Sequence, residues 1–199
     1  MALEVVEVPA RDDDVELLGL LAGAGFAADG EPSGITWMDA RDRPDVAAMP
    51  EGFVLVDRAE ATTGPHPMQR RSGQAVEARL RQCSLYDPAL DVTVETADGE
   101  AAGYALFWFD PVTKVGLVEP MRVEHAYQRR GLARAMLTAG LDRLANRGAT
   151  RVKVGYSTDV ACGLYVGAGF RVTSLSRSYT RQSSGKAETR SCSRSSKPC

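Results

Sequence analysis

Residues 115–146 change period with no linker between. VGLVEPMRV (115–123) alternates as a strand does, and Leu132, Met136, Leu137, Leu141 and Leu144 then recur at helical spacing. Between them lies QRRGLA (128–133). A strand that runs through a glycine turn straight into a long amphipathic helix constrains the chain to an α/β arrangement, with the helix laid back on its sheet. The junction also has a chemical consequence. A helix start leaves backbone N–H groups without intrahelical partners, and the helix dipole favours an anion there. Gly131 removes the Cβ that would keep a large anion away, and Ala133 is small. Arg129, Arg130 and Arg134 add positive charge. The pattern predicts a phosphate or pyrophosphate site, although a capped helix with solvated arginines explains these six residues alone about as well. No G-x-x-x-x-G-K-[ST] occurs, and no G-x-G-x-x-G follows a strand, which argues against a phosphate-loop nucleotidase and a dinucleotide fold.

The rest of the chain supplies a sheet. FVLVD (53–57), LDVTVE (90–95), AAGYALFWF (101–109), RVKVGY (151–156) and GFRVTSL (169–175) read as strands, and Asp98-Gly99 as a hairpin turn. A helix is expected over 72–85, capped by Ser72 and facing inward through Val76, Leu80 and Cys83. A short helix is expected over 159–166. The order from Phe53 is β-α-β-β-β-α-β-α-β. Upstream, DVELLGLLAGAGF reads as a helix with an apolar face of Leu17, Leu18, Leu20 and Leu21, stopped by Gly25. ITWM reads as a strand, and RDRPDVAAMPEG as a connector.

Composition bounds the function. With 199 residues the chain holds one α/β domain and a smaller part. A formal net charge of −2 argues against a general nucleic-acid binder. No apolar run is long enough for a membrane span, and the N-terminus lacks a signal-peptide pattern. Cys83, Cys162, Cys192 and Cys199 form no CxxC pair, so no metal site is expected and a reducing cytoplasmic setting is. The final stretch, 182–199, has almost no large apolar side chains and reads as a disordered tail.

Two motifs in order carry a resemblance. QRRGLA fits [QR]-x-x-G-x-[GA] at the exit of a central strand. Ala161, Leu164, Tyr165, Gly169 and Phe170 fit A-x-x-L-Y-x-x-x-G-F. Together with the element order, residues 53–180 resemble the GCN5-related N-acetyltransferase (GNAT) family. The resemblance implies a mixed central sheet, splayed between its middle strands, with helices on both faces. It implies acetyl-CoA as co-substrate, held by Met121, Arg122 and Val123 along the pantetheine arm. Gln128, Arg129, Arg130, Gly131, Leu132, Ala133 and Arg134 would hold the pyrophosphate. The Val123 amide would donate to the thioester carbonyl. Tyr165 is then the general acid beside the sulfur, with a core tyrosine as the alternative. Glu119 is the candidate base, although family members with a glutamate place it at the positions of Leu117 or Val118. Strand alternation would turn Glu119 away unless a bulge at Pro120 restores it. Thr158 stands where many members have asparagine. His125 is expected at the surface and His66 solvated in its loop. Of Tyr104, Phe107, Trp108 and Phe109, most are expected in the core and one or two at the acceptor site.

LLAGAGF (20–26) and LYVGAGF (164–170) share five of seven positions, each at the end of a helix-like stretch. Residues 1–50 are therefore expected to be the closing helix and strand of a degenerate upstream copy, with Leu21 in place of Tyr165 and no pyrophosphate loop. The chain is then a truncated tandem protein with a working domain over 53–181. The expected activity is acyl transfer to an amine of a small molecule or peptide, by a monomer or homodimer. The alternative from another class is a non-catalytic acyl-CoA-binding regulatory module. A nucleotide-binding protein is a third reading.

Overall fold

The computed structural model describes residues 5–60 and 64–182. The described chain divides into two units, one of Glu31–Leu175 and one of the residues up to Gly30 together with those from Ser176 onward.

The larger unit is a mixed sheet. Its strands are β2 (Ala27–Asp39, within this unit from Glu31), β3 (Phe53–Asp57), β4 (Asp91–Thr96), β5 (Ala101–Asp110), β6 (Val115–Val123), β7 (Arg151–Tyr156) and the first part of β8 (Arg171–Gln182). They lie in the order β8-β2-β7-β6-β5-β4-β3. β3 to β6 pair antiparallel in sequence, and the β4–β5 pair is the hairpin expected across Asp98-Gly99. β6 and β7 pair in parallel, joined by the crossover helix α4 (Leu132–Asn146). β2 enters antiparallel beside β7, from Gly34 opposite Tyr156 to Asp39 opposite Arg151. Residues before 53, read from sequence as a flank, thus contribute a strand to this sheet. Arg151 stacks 4.4 Å from the Trp37 ring across that pairing.

The long helix packs as its periodicity requires. Leu132, Met136, Leu137, Leu141 and Leu144 are all buried against Val92, Val94, Ala105, Phe107 and Val118. Each such leucine contributes about 1.5–3 kcal/mol of burial. Gly140 sits where the Phe107 ring fills the space a side chain would occupy. Thr138 ties down the connector: its hydroxyl accepts from the Ala47 amide at 2.9 Å, while Arg43 pairs with Asp142 at 2.9 Å. The segment from Gly64 to Leu90 carries two short helices, α2 (Gln69–Ser72) and α3 (Val76–Leu80); its His66 and Tyr86 both bond to Asp91, while its end meets α4, where Arg147 pairs with Asp87 and Arg143 donates to the Ala89 carbonyl. The continuous helix expected over 72–85 is broken. Gly73 adopts φ 82, ψ 163, which ends α2 at Ser72, the residue expected to cap a helix start. Only Val76 of the expected inward face is buried, and Cys83 is exposed.

In the smaller unit, β1 (Val5–Arg11) pairs antiparallel with the far half of β8, from Val5 opposite Gln182 to Arg11 opposite Ser176. Asp14 caps α1 (Val15–Gly23) by accepting from the Leu17 amide at 3.0 Å. Of the expected leucine face only Leu21 is buried, and Leu20 is 66% exposed. The helix ends as expected on Gly25, at φ 78. Arg181 sits 4.7 Å over the Phe26 ring and donates to the Ala24 carbonyl. The tail expected over 182–199 lies outside the described residues beyond Gln182, the last residue of β8.

Gly140→Ala sets the packing against helix propensity. The added Cβ would lie 1.9 Å from the buried Phe107 ring. Overpacking of this kind costs roughly 1–3 kcal/mol, more than the roughly 1 kcal/mol of helix propensity it gains. Urea unfolding should show a lowered midpoint, partly recovered by Phe107→Leu in the same chain. A midpoint that rises on Gly140→Ala would refute the packing described.

Candidate functional site

The site begins where two strands part. β6 pairs with β7 only from Val115 to Val118. Beyond that point β6 still pairs with β5, Met121 opposite Ala105 and Val123 opposite Gly103. Between Val118 and Met121 the register slips by one residue, a bulge centred on Glu119 and Pro120. The Trp108 indole N–H donates to the Glu119 carbonyl at 2.6 Å and braces the bulge. One backbone edge of residues 121–123 is therefore left open to a cavity of about 340 Å³.

The turn 128–133 closes one end of that cavity. The Gln128 side-chain amide donates to the Val123 carbonyl at 3.2 Å, fixing the turn on the end of β6. Arg129 and Gly131 both lie in the left-handed region, at φ 62 and φ 86. A left-handed arginine costs about 1–3 kcal/mol, which points to a geometry held by its surroundings. The N–H groups of Arg129, Arg130 and Gly131 donate to no backbone carbonyl among the described residues. Leu132 and Ala133 follow in the first turn of α4, where amides have no intrahelical acceptor. Alternating left-handed residues and a helix start gather amides into an anion-binding concavity. A Cβ on Gly131 would meet protein only at Pro50, 3.6 Å away. Its φ and its open side, and not crowding, are what favour glycine here.

The far wall is α5 (Asp159–Gly167). Thr158 caps it, its hydroxyl accepting from the Ala161 amide at 3.2 Å. Ala161, Leu164 and Tyr165 line the cavity. The Phe170 amide donates to the Tyr165 carbonyl at 3.1 Å, and Gly169 sits at φ 99. Tyr165 is only 6% exposed. Burial first, and the negative charge of Glu119 second, push its phenol above the ordinary tyrosine value. It is therefore a neutral phenol across the physiological range, able to hold or give a proton.

Of the residues expected in the site, Met121, Arg122, Val123, Gln128, Arg129, Gly131, Leu132, Ala133, Arg134 and Tyr165 line this one cavity. Arg130 does not. Its guanidinium lies 5.7 Å from the Tyr127 ring and 6.0 Å from that of Phe53, drawn outward by both rings. The Glu119 side chain is exposed and is not among the lining groups, although its charge reaches Tyr165. His125 is exposed, as expected.

His66 is a correction: it is 1% exposed, not solvated. Its Nε2 meets Asp91 Oδ2 at 2.8 Å, and its Nδ1 accepts from the Met68 amide. Nδ1 is thereby the acceptor nitrogen and Nε2 the donor, so neither lone pair is free for catalysis. The Tyr86 hydroxyl donates to the same Asp91 oxygen at 2.8 Å, and the Tyr86 ring lies 6.4 Å from that of Trp108. This buried polar set backs the bulge, and sequence reasoning missed it. Asp91 at the head of an otherwise apolar strand was its only trace.

Among the described residues no group of three or more His, Cys, Asp or Glu is arranged to hold a metal ion. None of the described helices is long and apolar enough to cross a membrane.

The comparisons agree with this geometry. A mycothiol acetyltransferase of Clavibacter michiganensis subsp. michiganensis is 36% identical over 119 residues, covering 58% of this chain and 38% of its own length. A GCN5-related N-acetyltransferase of Sphaerobacter thermophilus superposes with TM-score 0.73 at 20% identity, over 91% of this chain and 60% of that one. A tandem GNAT protein of the clavulanic acid biosynthesis pathway superposes with TM-score 0.68 at 16% identity, over 89% and 64%. The chain thus spans less than two thirds of each of these proteins. The family model for the acetyltransferase (GNAT) family matches residues 56–170. That match takes in the parted strands, the 128–133 turn and Tyr165, more than half of the chain, and the chain belongs to the GNAT acetyltransferase family.

Proposed function

We propose that this chain is an acyl-CoA-dependent N-acyltransferase that uses acetyl-CoA and transfers the acyl group directly to an amine of a small molecule or peptide. The observation that carries the reading is the meeting, in one cavity, of an open strand edge, a turn of unpaired amides and a buried neutral phenol. The amides of 129–133 and the Arg129 and Arg134 side chains suit a pyrophosphate. The free edge of Met121–Val123 suits the two amides of a pantetheine arm, and the Val123 amide is assigned to the thioester carbonyl. The amine lone pair attacks the carbonyl carbon and the C–S bond breaks. Tyr165 gives its proton to the departing thiolate, and Glu119, directly or through water, takes the proton the amine loses. The bulge at Glu119-Pro120, held by the Trp108 indole, and the reach of the Glu119 charge to Tyr165 support this role.

One observation favours the alternative, a non-catalytic acyl-CoA-binding module: Glu119 is exposed and outside the lining. Tyr165→Phe separates the two. For the enzyme, kcat should fall about 100-fold, the scale of a lost general acid, while acetyl-CoA affinity is retained. An unchanged kcat would remove Tyr165 from its role, and a parent chain inactive across an amine panel would favour the binding module.

The raised Tyr165 value also fixes a pH dependence. Burial and the Glu119 charge raise the phenol, so it loses its proton at higher pH than an ordinary tyrosine. The midpoint of the alkaline fall of kcat due to this group should therefore lie above the ordinary tyrosine value and the fall should vanish in Tyr165→Phe. A fall near pH 8 that Tyr165→Phe abolishes would contradict the assignment.

Gly131→Glu tests the anion site. It introduces a negative charge and a strained left-handed side chain where amides and a helix start favour an anion. Acetyl-CoA affinity by calorimetry should drop about 100-fold, near 3 kcal/mol. Unchanged affinity would place the ligand elsewhere.

For the segment up to residue 50 we infer descent from a second, degenerate copy. The Phe26 amide donates to the Leu21 carbonyl as the Phe170 amide does to that of Tyr165, each across a glycine of positive φ. With Leu21 at the tyrosine position, that copy retains the turn and not the chemistry.

A further inference from the structure

A second cavity, of about 350 Å³, opens on the face of the sheet turned away from α4. Glu95 on β4, Glu100 in the hairpin turn and Glu124 just past β6 all border it. Glu95 has no ion-pair or hydrogen-bond partner among the described residues. Glu100 accepts from the Tyr127 hydroxyl, and Glu124 has only long contacts of 3.7 Å to Arg71 and Arg122. Two arginines also line the cavity. Arg58 is committed, with both Glu77 oxygens at 3.1 Å, and Arg70 is exposed at the rim. The uncommitted charge is therefore mainly negative.

Independently of the carboxylates, Thr93 lines the same cavity. It is 4% exposed, and its hydroxyl has no hydrogen-bond partner among the described residues. A buried hydroxyl is seldom left unpaired unless something outside the protein pairs with it. Val56 and Ala101 add apolar surface beside it.

The spacing decides the kind of cation. Glu95 lies opposite Ala101, and the Glu124 amide donates to the Ala102 carbonyl. The backbones of Glu95 and Glu124 thus flank β5, one strand to each side, roughly 10 Å apart across the sheet, and both side chains border the cavity. Carried on either side of β5, the two carboxylates offer two anionic poles, and among the described residues no group of three or more His, Cys, Asp or Glu is arranged to hold a metal ion. We propose that this cavity binds a small organic dication, an alkyl chain with an ammonium group at each end, one held by Glu95 and the other by Glu124. The Thr93 hydroxyl accepts from the first ammonium, and Glu100 lies along the path. This site stands on its own geometry and does not depend on acyl transfer at the other cavity.

The test is calorimetric titration of the full chain at low salt with linear diamines of three to ten methylenes. Butylamine and magnesium chloride serve as controls at equal ionic strength, and acetyl-CoA binding is scored separately. Affinity should pass through a maximum at one chain length within the series and exceed that of butylamine at least tenfold. Glu95→Gln should weaken it about tenfold, the scale of one lost charge-assisted hydrogen bond, with acetyl-CoA binding unchanged. Thr93→Val, a near-isosteric change, should weaken it by a smaller factor and report on the hydroxyl. Diamines that bind no tighter than butylamine would overturn the proposal. So would affinity unaltered in Glu95→Gln, or magnesium binding as tight as the best diamine. Loss of acetyl-CoA binding in the parent would count against acyl transfer alone and leave this site standing.

Discussion

After Val118, β6 keeps one neighbour and loses the other. A strand inside a sheet ordinarily spends its N–H and C=O groups on both sides, because an unpaired buried amide costs about as much as a lost hydrogen bond. Here the inserted residue at Glu119-Pro120 turns the edge of residues 121–123 outward, and α5 stands across the gap. The cavity, its amide supply and the placement of Tyr165 all follow from that one departure. Had β7 paired to the end of β6, no opening would connect the strand with the helix start at Leu132.

The bulge is itself held from behind. The Trp108 indole fixes the Glu119 carbonyl, Tyr86 packs near Trp108, and Asp91 gathers the Tyr86 hydroxyl and the His66 ring. Asp91 and His66 are fully buried, so their pairing is a high-stakes contact whose loss would strand a polar group in the core. This set connects the loop at residue 66 to the Glu119 carbonyl at the bulge through hydrogen bonds and ring contacts. The activity proposed for the chain would draw on it for position and not for proton transfer, since both ring nitrogens of His66 are occupied.

Much of this was legible from residues alone, for identifiable reasons. Strand alternation and the leucine spacing of 132–144 are local, and the structure places the strands from Phe53 to Tyr156 and the helix at 132 within a residue or two, whereas β2 begins eight residues before ITWM and β8 runs seven past GFRVTSL. The 128–133 turn was legible because glycine and a helix start have fixed conformational demands. The helix expected over 72–85 failed because Gly73 outweighed an apolar spacing that looked continuous. His66 was misread because its partner lies 25 residues on, and a long-range polar pair leaves no periodic trace. Arg130 was counted with its neighbours by charge, whereas its position is set by the rings of Tyr127 and Phe53. Pro120 hinted at the bulge, but the sequence held no sign that Trp108 would anchor it.

The central claim is that the open amides of 121–123 and 129–133 grip a thioester carrier. Hydrogen–deuterium exchange with and without acetyl-CoA tests it most directly, since it reads those amides themselves. The account predicts slowed exchange in peptides covering 121–123 and 129–133, and little change in β3 or α3. Acetyl-CoA that binds while leaving both segments unprotected would contradict it.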